Sequence, residues 1–405
     1  MKPHYFFRTV RASRISGSGP YVSLVALALV SCTATDTSPP REQSSGVLSI
    51  DGFFDAIHHE RNKYGDTFPR YEASQVAEIA DNILLLQHAN GGWNENRDPL
   101  RIFTDEERAE LVADKSSPRG SFDNRNVYTQ IEYLMGAYER LGDARYKVGA
   151  LNGLDYLLSH QMQTCGGWPH TVPASSDYHP LLTIADEVLS GPLTLLRSIS
   201  NRDWPFESFD GAIVERARKA LARGDACVLQ LQVRQGDRLT GWAGQYNPQS
   251  LEPWMGRTFE LPSIATEETV YILRYLMAAD DPSPEVIASI EGGVDWLKSV
   301  AIHDTRLEEY ELDEPVRFKY HTATHERRLV KDQDAPLLWA RFYDLDDNSV
   351  VLANRDSVRV DDYQDISPER RTGYHWYGTW ANSLLEEDYP DWTCRISGAD
   401  SCDEQ

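Results

Sequence analysis

LLLQHANGGW, residues 84–93, closes a leucine-rich helical pattern with a glutamine, a short turn and a Gly-Gly-Trp. The same punctuation returns in LLSHQMQTCGGW (157–168) and LQLQVRQGDRLTGW (229–242), so Trp93, Trp168 and Trp242 stand 75 and 74 residues apart. A fixed period of this length marks a repeated supersecondary unit. Each unit ends an amphipathic helix, and its glycine is expected to take the left-handed C-cap conformation that a Cβ resists.

Second helical patterns lie between these ends and begin alike, with SFDN at 121–124, TIAD at 183–186 and SIAT at 263–266. Each start offers a Ser or Thr as an N-cap. The helices that follow, NVYTQIEYLMGAYERLG (126–142) and ETVYILRYLMAA (268–279), are apolar around most of their circumference, as inner helices packed on several sides should be. Runs such as VERARKALARGD (214–225) carry a charged face and read as outer helices. The alternation predicts a chain dominated by α-helix, folded as an incomplete α/α toroid of about three helical hairpins. After about residue 300 the pattern becomes short and alternating with turn residues, which predicts short strands and long loops in the C-terminal part of the same domain. HTATH, 321–325, is read as a solvated loop.

The N-terminus reads as an export signal. Lys2, Arg8, Arg11 and Arg14 precede the apolar YVSLVALALVSC (21–32), which is short for a spanning helix. LVSC looks like a bacterial lipobox with Cys32 as the lipidated cysteine, and Thr33 follows where an inner-membrane retention signal would place aspartate. The expected organisation is a lipoprotein signal over 1–32, a flexible Ser/Thr/Pro-rich tether over 33–47 and a single toroid over 48–405. The protein is expected outside the cytoplasm, lipid-anchored at the outer membrane or in the periplasm, as a monomer. In such an oxidising setting Cys165, Cys227, Cys394 and Cys402 allow three pairings, of which a Cys394–Cys402 staple of the C-terminal tail is preferred.

With 63 acidic against 40 basic residues and a net charge of −23, the chain repels polyanions at long range and nucleic-acid binding is not expected. The local exceptions are arginines: Arg257 in EPWMGRTFELPS, Arg355 in ANRDS, and Arg370 with Arg371 in SPERRTGYHW. A guanidinium fork binds carboxylates in a bidentate way that lysine cannot copy. Tyr374, Trp376, Tyr377 and Trp380 offer either faces for sugar rings or core packing. Asp123, Asn124 and Asp186 sit at two inner-helix starts, where they serve either as ordinary first-turn residues or as oxygen ligands of a hard cation such as calcium. His88, His170, His321 and His325 form no metal or nucleophile pattern, and GxSxG is absent. A carboxylate pair for glycoside hydrolysis stays open, because sequence does not show the separation of acids.

Together these stretches resemble the family 10 polysaccharide lyases, bacterial pectate lyases with an α/α toroid fold. The similarity runs over roughly 75–385 and rests on NGGW (90–93), SFDN, GGWPH (166–170), TIADEVL (183–189), GRTFELPSIATEE (256–268), RFYDL (341–345), NRD (354–356) and ERRTGYHW (369–376). The resemblance implies calcium-dependent β-elimination of pectate or a related uronan. It implies Arg257 as catalytic base, Asp123 as an essential catalytic residue, and Asp186 with Asp123 and Asn124 as calcium ligands. Arg355, Arg370 and Arg371 would hold uronate carboxylates, and Tyr374 and Trp376 would bind substrate. An arginine base needs a strongly cationic setting to lose its proton. Three departures weaken the match: Asn94-Glu95 replaces Pro-Lys after the first GGW, Ala185 replaces an Asn before Asp186, and LEPWMG (251–256) replaces the lysines usual just upstream of Arg257. The alternatives carried forward are an α/α-toroid glycoside hydrolase and a non-catalytic lipoprotein that binds acidic glycans.

Overall fold

A computed structural model describes residues 47–65 and 67–398; the expected signal, Cys32 and the tether up to residue 46 lie outside them. Val47 onward forms one compact unit. In chain order the helices are α1 (Phe54–Tyr64), α2 (Val76–Leu86), α3 (Asp105–Ala113), α4 (Tyr128–Leu141), α5 (Ala144–Ser159), α6 (Ser190–Asn201), α7 (Gly211–Leu231), α8 (Thr266–Met277), α9 (Pro284–Ser299), α10 (Pro368–Gly373) and α11 (Tyr389–Ser397). Hairpins α4/α5, α6/α7 and α8/α9 pack side by side, with α4, α6 and α8 as neighbours in the inner row. The α/α toroid of three hairpins is therefore the observed fold.

Burial separates the two rows as the apolar patterns require. On α7 only Val214, Ala217, Ala220, Gly224, Cys227, Val228 and Leu231 are buried, one stripe at helical spacing. On α8 Thr266 and Glu268–Val270 are buried together with Ile272, Leu273 and Tyr275–Met277, most of the circumference.

The Gln…Trp punctuation holds neighbouring units together. Trp93, Trp168 and Trp242 are fully buried, and each indole Nε1 donates to a carbonyl near the end of its own outer helix, on Ile83, Leu157 and Val228, at 2.8–2.9 Å. The amides of Gln87, Gln161 and Gln232 each donate twice: to the following turn (Gly91, Gly166 and Thr240 O) and to the next outer helix (Gly149, Ala220 and Ser289 O). Two donations saturate a buried NH2 that would otherwise cost free energy. The glycines differ from expectation. Gly91 and Gly166 have positive φ, but they lie beyond the helix ends rather than capping them. They are needed for close approach, since a Cβ would fall 2.2 Å from Asn152 O and 2.5 Å from Arg223 O respectively.

A fourth unit is present that the GW period does not reveal. Trp339 Nε1 donates to Leu297 O at 2.9 Å, and Tyr343 Oη donates to Val300 O as Tyr246 Oη does to Leu231 O. The period is broken because an excursion leaves the toroid at Ile302 and rejoins it at Leu338, where the two residues exchange backbone hydrogen bonds at 2.8 and 3.1 Å. That excursion is one long antiparallel hairpin, Thr305–Arg317 with Thr322–Lys331. Short strands and loops were expected here, and HTATH lies mostly in the second strand instead of a solvated loop. Both faces of the hairpin are largely polar, and cross-strand pairs such as Arg328–Glu308 and Arg327–Glu309 support it.

The inner-helix starts also differ from expectation, since Ser121, Thr183 and Ser263 cap nothing. Gly120–Ser121, Leu182–Thr183 and Ile264–Ala265 are two-residue strands, each paired with a segment just after the next tryptophan: Thr171–Val172, Gln245–Tyr246 and Phe342–Tyr343. These ladders gather helix starts and post-tryptophan turns at one mouth. A disulfide joins Cys165, in the second turn, to Cys227 on α7 across 62 residues. Cys394 is likewise a disulfide cysteine, while Cys402, its expected partner, lies outside the described residues. The variant Cys165→Ser is expected to lose about 2–4 kcal/mol of stability, read as a lower denaturant midpoint at unchanged slope.

Candidate active site

At the first inner-helix start the backbone is strained. Asn124, Arg125 and Val127 all have positive φ, as do Asp186 and Glu187 at the second, and non-glycine residues in this region persist only where the surroundings hold them. Buried Asn126 does so at the first start, donating to Trp93 O at 2.9 Å and Ser121 O at 2.6 Å. Asp123 and Asp186 stand at these two starts, close enough for the Asp123 charge to act on Asp186.

Asp123 Oδ1 lies 3.4 Å from His170 Nε2. Asn124 Nδ2 donates to Asp123 Oδ2 at 3.2 Å and to Asn96 Oδ1 at 2.9 Å. Burial opposes ionisation of Asp123, but His170 and Arg257 outweigh it and hold the carboxyl below its ordinary range. His170 shows the converse: burial lowers its pKa, Asp123 raises it, and the balance is upward. Its ring stacks parallel to His179 with centroids 5.1 Å apart. Asp186 is open to the cleft yet sunk among protein, and burial followed by the Asp123 charge pushes its carboxyl up, against Arg341 and Arg257.

Arg257, 44% exposed on the same cleft, grips Glu260. Its Nε and backbone N–H donate to Glu260 Oε2 at 2.9 and 2.8 Å, its Nη2 donates to Oε1, and Tyr374 Oη donates to Oε1 at 2.8 Å. Burial opposes the charge on Glu260, but Arg257 prevails and holds the carboxyl at about 2. Burial likewise opposes the Arg257 cation, yet Glu260 raises its pKa well above the ordinary value. In the free protein Arg257 is thus a firmly held cation, contrary to the cationic surroundings expected to ease its proton off.

Phe259 ties Arg257 to the late arginines: its ring centroid lies 5.1, 5.3 and 4.7 Å from the guanidinium carbons of Arg257, Arg355 and Arg370. Glu369 takes bidentate bonds from Arg355 (3.0 and 3.0 Å) and from Arg370 (2.7 and 2.6 Å). Asp123, Asp186 and Arg257 thus share one mouth, with Arg355 and Arg370 joined to it through Phe259.

Four expected substrate contacts are corrected. Arg370 is 5% exposed with its Nε and Nη2 on Glu369, so it lends charge from behind Arg355 without touching a ligand. Arg371 is buried and spent on Glu326 (2.9 and 2.8 Å) and on the carbonyls of Gln364 and Ile366. Trp376 is 1% exposed and Tyr374 9%, both packed with Phe259 and Phe342, so neither offers a ring face to a sugar. Tyr377 is buried as well. An exposed aromatic beside the arginines is instead Tyr320, over whose ring Arg355 lies. The acid partners Glu260 and Glu369 and the neighbours Phe259, His170 and Arg341 went unassigned in the sequence, although every one lies inside a stretch quoted above. Arg341 is buried and bonded to Glu267 and Glu268 of the third inner-helix start. Glu95, the anion in place of an expected lysine, accepts from Arg119 Nη2 at 2.7 Å, so its charge is paired.

Among the described residues no cluster of three or more His, Cys, Asp or Glu side chains is arranged to hold a metal. Asp123 and Asp186 nevertheless fit a hard cation in kind. They are two carboxylates that repel each other, and Asp123 Oδ1 is buried with its nearest partner, His170 Nε2, at the long distance of 3.4 Å, both of which a bound cation would relieve.

A family model described as pectic acid lyase matches residues 87–385, most of the chain. The chain belongs to the pectic acid lyase family. The protein is accordingly a polysaccharide lyase. Two solved structures share the fold of this lyase. A family 10 polysaccharide lyase from Cellvibrio cellulosa is 24% identical with a TM-score of 0.66, over 86% of this chain and 99% of that one. An aspartate-to-alanine mutant of family 10 polysaccharide lyase from the same organism, in complex with trigalacturonic acid, is 24% identical with a TM-score of 0.65, over 85% and 99%. No curated protein sequence matches the lyase significantly.

Proposed function

We propose that the lyase cleaves pectate or a related uronan by calcium-dependent β-elimination, with Arg257 as the base that takes the C5 proton. The observation that carries this reading is the meeting of Asp123, Asp186 and Arg257 at one mouth, with Arg355 and Arg370 beside them. Five residues from distant parts of the chain supply both signs of charge that a uronate next to a cation needs.

The C5 proton lies beside the sugar carboxylate and is barely acidic until the charge that builds on that carboxylate is stabilised. Arg355, open to the cleft, and Arg370 behind it provide fixed positive charge for this. Arg257 accepts the proton, the electron pair left at C5 forms the C4–C5 double bond, and the C4–O bond breaks. The departing oxygen takes a proton from solvent. Glu260 opposes the neutral form of Arg257, so the base becomes available only as the pH rises. Asp123 and Asp186 would hold the calcium, with Asn124, water and a sugar carboxylate completing an oxygen shell; when bound, the ion would withdraw charge from that carboxylate. His170 keeps Asp123 ionised and oriented.

The same reading includes export, lipid anchoring at Cys32 and a tether over 33–47, supported by the basic, apolar and Ser/Thr/Pro-rich order of residues 1–46. No helix among the described residues is long and apolar enough to cross a membrane.

The test is polygalacturonate turnover with excess calcium or excess chelator, following unsaturated, ultraviolet-absorbing chain ends. The expected result is such ends with calcium, a loss of about a hundredfold or more on chelation, and recovery when calcium is returned. New reducing ends without unsaturation would mean hydrolysis, and binding without new ends would mean a glycan receptor.

A further inference from the structure

The tip of the inserted hairpin reaches the arginine cluster. Tyr320 is 60% exposed, and Arg355 lies 4.7 Å from its ring centroid while also lying 5.3 Å from that of Phe259. One guanidinium is therefore stacked between a buried ring and an exposed one, with Glu369 holding its edge. Lys319 is exposed, and its Nζ is 4.8 Å from the centroid of the same Tyr320 ring.

The tip is fixed in place. Phe318 N–H donates to His321 O at 2.9 Å, closing the turn. His321 Nε2 and Thr372 Oγ1 are 2.9 Å apart, which ties the turn to α10, the helix that carries Glu369 and Arg370. Gly373 allows this docking, because a Cβ there would fall 2.5 Å from His321 Cε1. A flat, exposed tyrosine on a rigid mount loses little conformational freedom when a ligand stacks on it. Tyr320 earns nothing for the core by its position.

We propose that Tyr320 is a substrate-stacking residue which, with Arg355 and Lys319, forms an outlying subsite for a uronate unit beyond the one that reacts. A uronate is both a ring with an apolar face and an anion, and this site pairs an aromatic face with two cations, which selects acidic over neutral sugars. The inference rests on the reading of the substrate as a uronan. Tyr320 stands one group further out than Arg355, which is itself joined to Arg257 only through Phe259, so its contribution falls on binding of long chains and not on the chemical step.

The experiment compares the full chain with Tyr320→Ala and Tyr320→Trp, using steady-state kinetics on polygalacturonate and trigalacturonate, calorimetric binding of polygalacturonate and thermal melting. Loss of a stacked aromatic is expected to raise KM and Kd for the polymer about 3- to 10-fold. In the Ala variant kcat, the melting midpoint and turnover of the trimer should stay near wild type, and the Trp variant should restore polymer affinity. Unchanged polymer affinity in Tyr320→Ala, a loss confined to kcat, or a Trp variant as weak as Ala would overturn the subsite. A wild-type chain that binds polygalacturonate without producing unsaturated ends would sink the elimination reading alone, since the calorimetric comparison still decides the subsite; a wild-type chain that does not bind it at all would sink both.

Discussion

Arg257→Ala lowers kcat on polygalacturonate by about a thousandfold, the middle of the range for loss of a positioned base, and leaves binding of the polymer within about tenfold. The side chain is half open to the cleft, and its partners Glu260 and Tyr374 keep their own hydrogen bond, so the fold should survive the truncation. A base and a mere carboxylate clamp both suffer from this change, which is why Glu260→Gln is the sharper companion. Glu260 raises the Arg257 pKa. Removing that carboxylate lowers it, the neutral fraction at any given pH increases, and the rising alkaline limb of the pH–rate profile moves toward lower pH. If Arg257 only clamps a carboxylate, the limb stays where it is. Steady-state rates of both variants across the pH range, with calcium in excess, decide between the two roles.

Asp123→Ala is expected to cost about a hundred- to a thousandfold in kcat/KM, and excess calcium should not restore it. The truncation removes the carboxylate that raises the His170 pKa and bears on Asp186, so it disturbs the groups that face the cleft from both inner-helix starts. Asp186→Asn keeps the shape but removes one charge, and the calcium needed for half-maximal activity should rise roughly tenfold or more, because calcium affinity follows the charge count of its ligands. Full activity of Asp123→Ala would remove this mouth from the reaction, while a calcium requirement unchanged in Asp186→Asn would move the cation elsewhere.

The toroid was legible because its signal is local and repeated. A buried indole and a twice-used glutamine must recur wherever one outer helix meets the next, so Gln87, Gln161, Gln232 and the three GW pairs announce the units. Trp339 escaped this reading for two reasons: it follows leucine instead of glycine, and 35 intervening residues, 303–337, break the period. The hairpin within them escaped as well, since strands with polar residues on both faces lack the alternation that betrays a half-buried strand. Ser121 and Thr183 suit a helix cap and a short ladder equally, and only the pairing partner, some 50 to 60 residues away, chooses between them.

At the site the arginines were legible as residue types, but what each one holds was not. Arg371 and Glu326 are 45 residues apart, Arg341 and Glu268 73, and nothing local distinguishes such a buried pair from an arginine left open to a ligand. Arg370 and Arg371 are neighbours in sequence, yet one joins the Phe259 cluster and the other braces the hairpin. Arg257 and Glu260, three residues apart, were within reach of a local reading. The same ambiguity separates Tyr374 and Trp376, which are packed, from Tyr320, which is not.

The glutamine amides have a mechanical consequence. Each one grasps a carbonyl of its own unit and another of the neighbour, so no unit can loosen without exposing groups on two. The arc then melts like a row of linked dominoes, its cooperativity set by nearest-neighbour coupling, and a defect at any single link is shared by the blocks on either side of it.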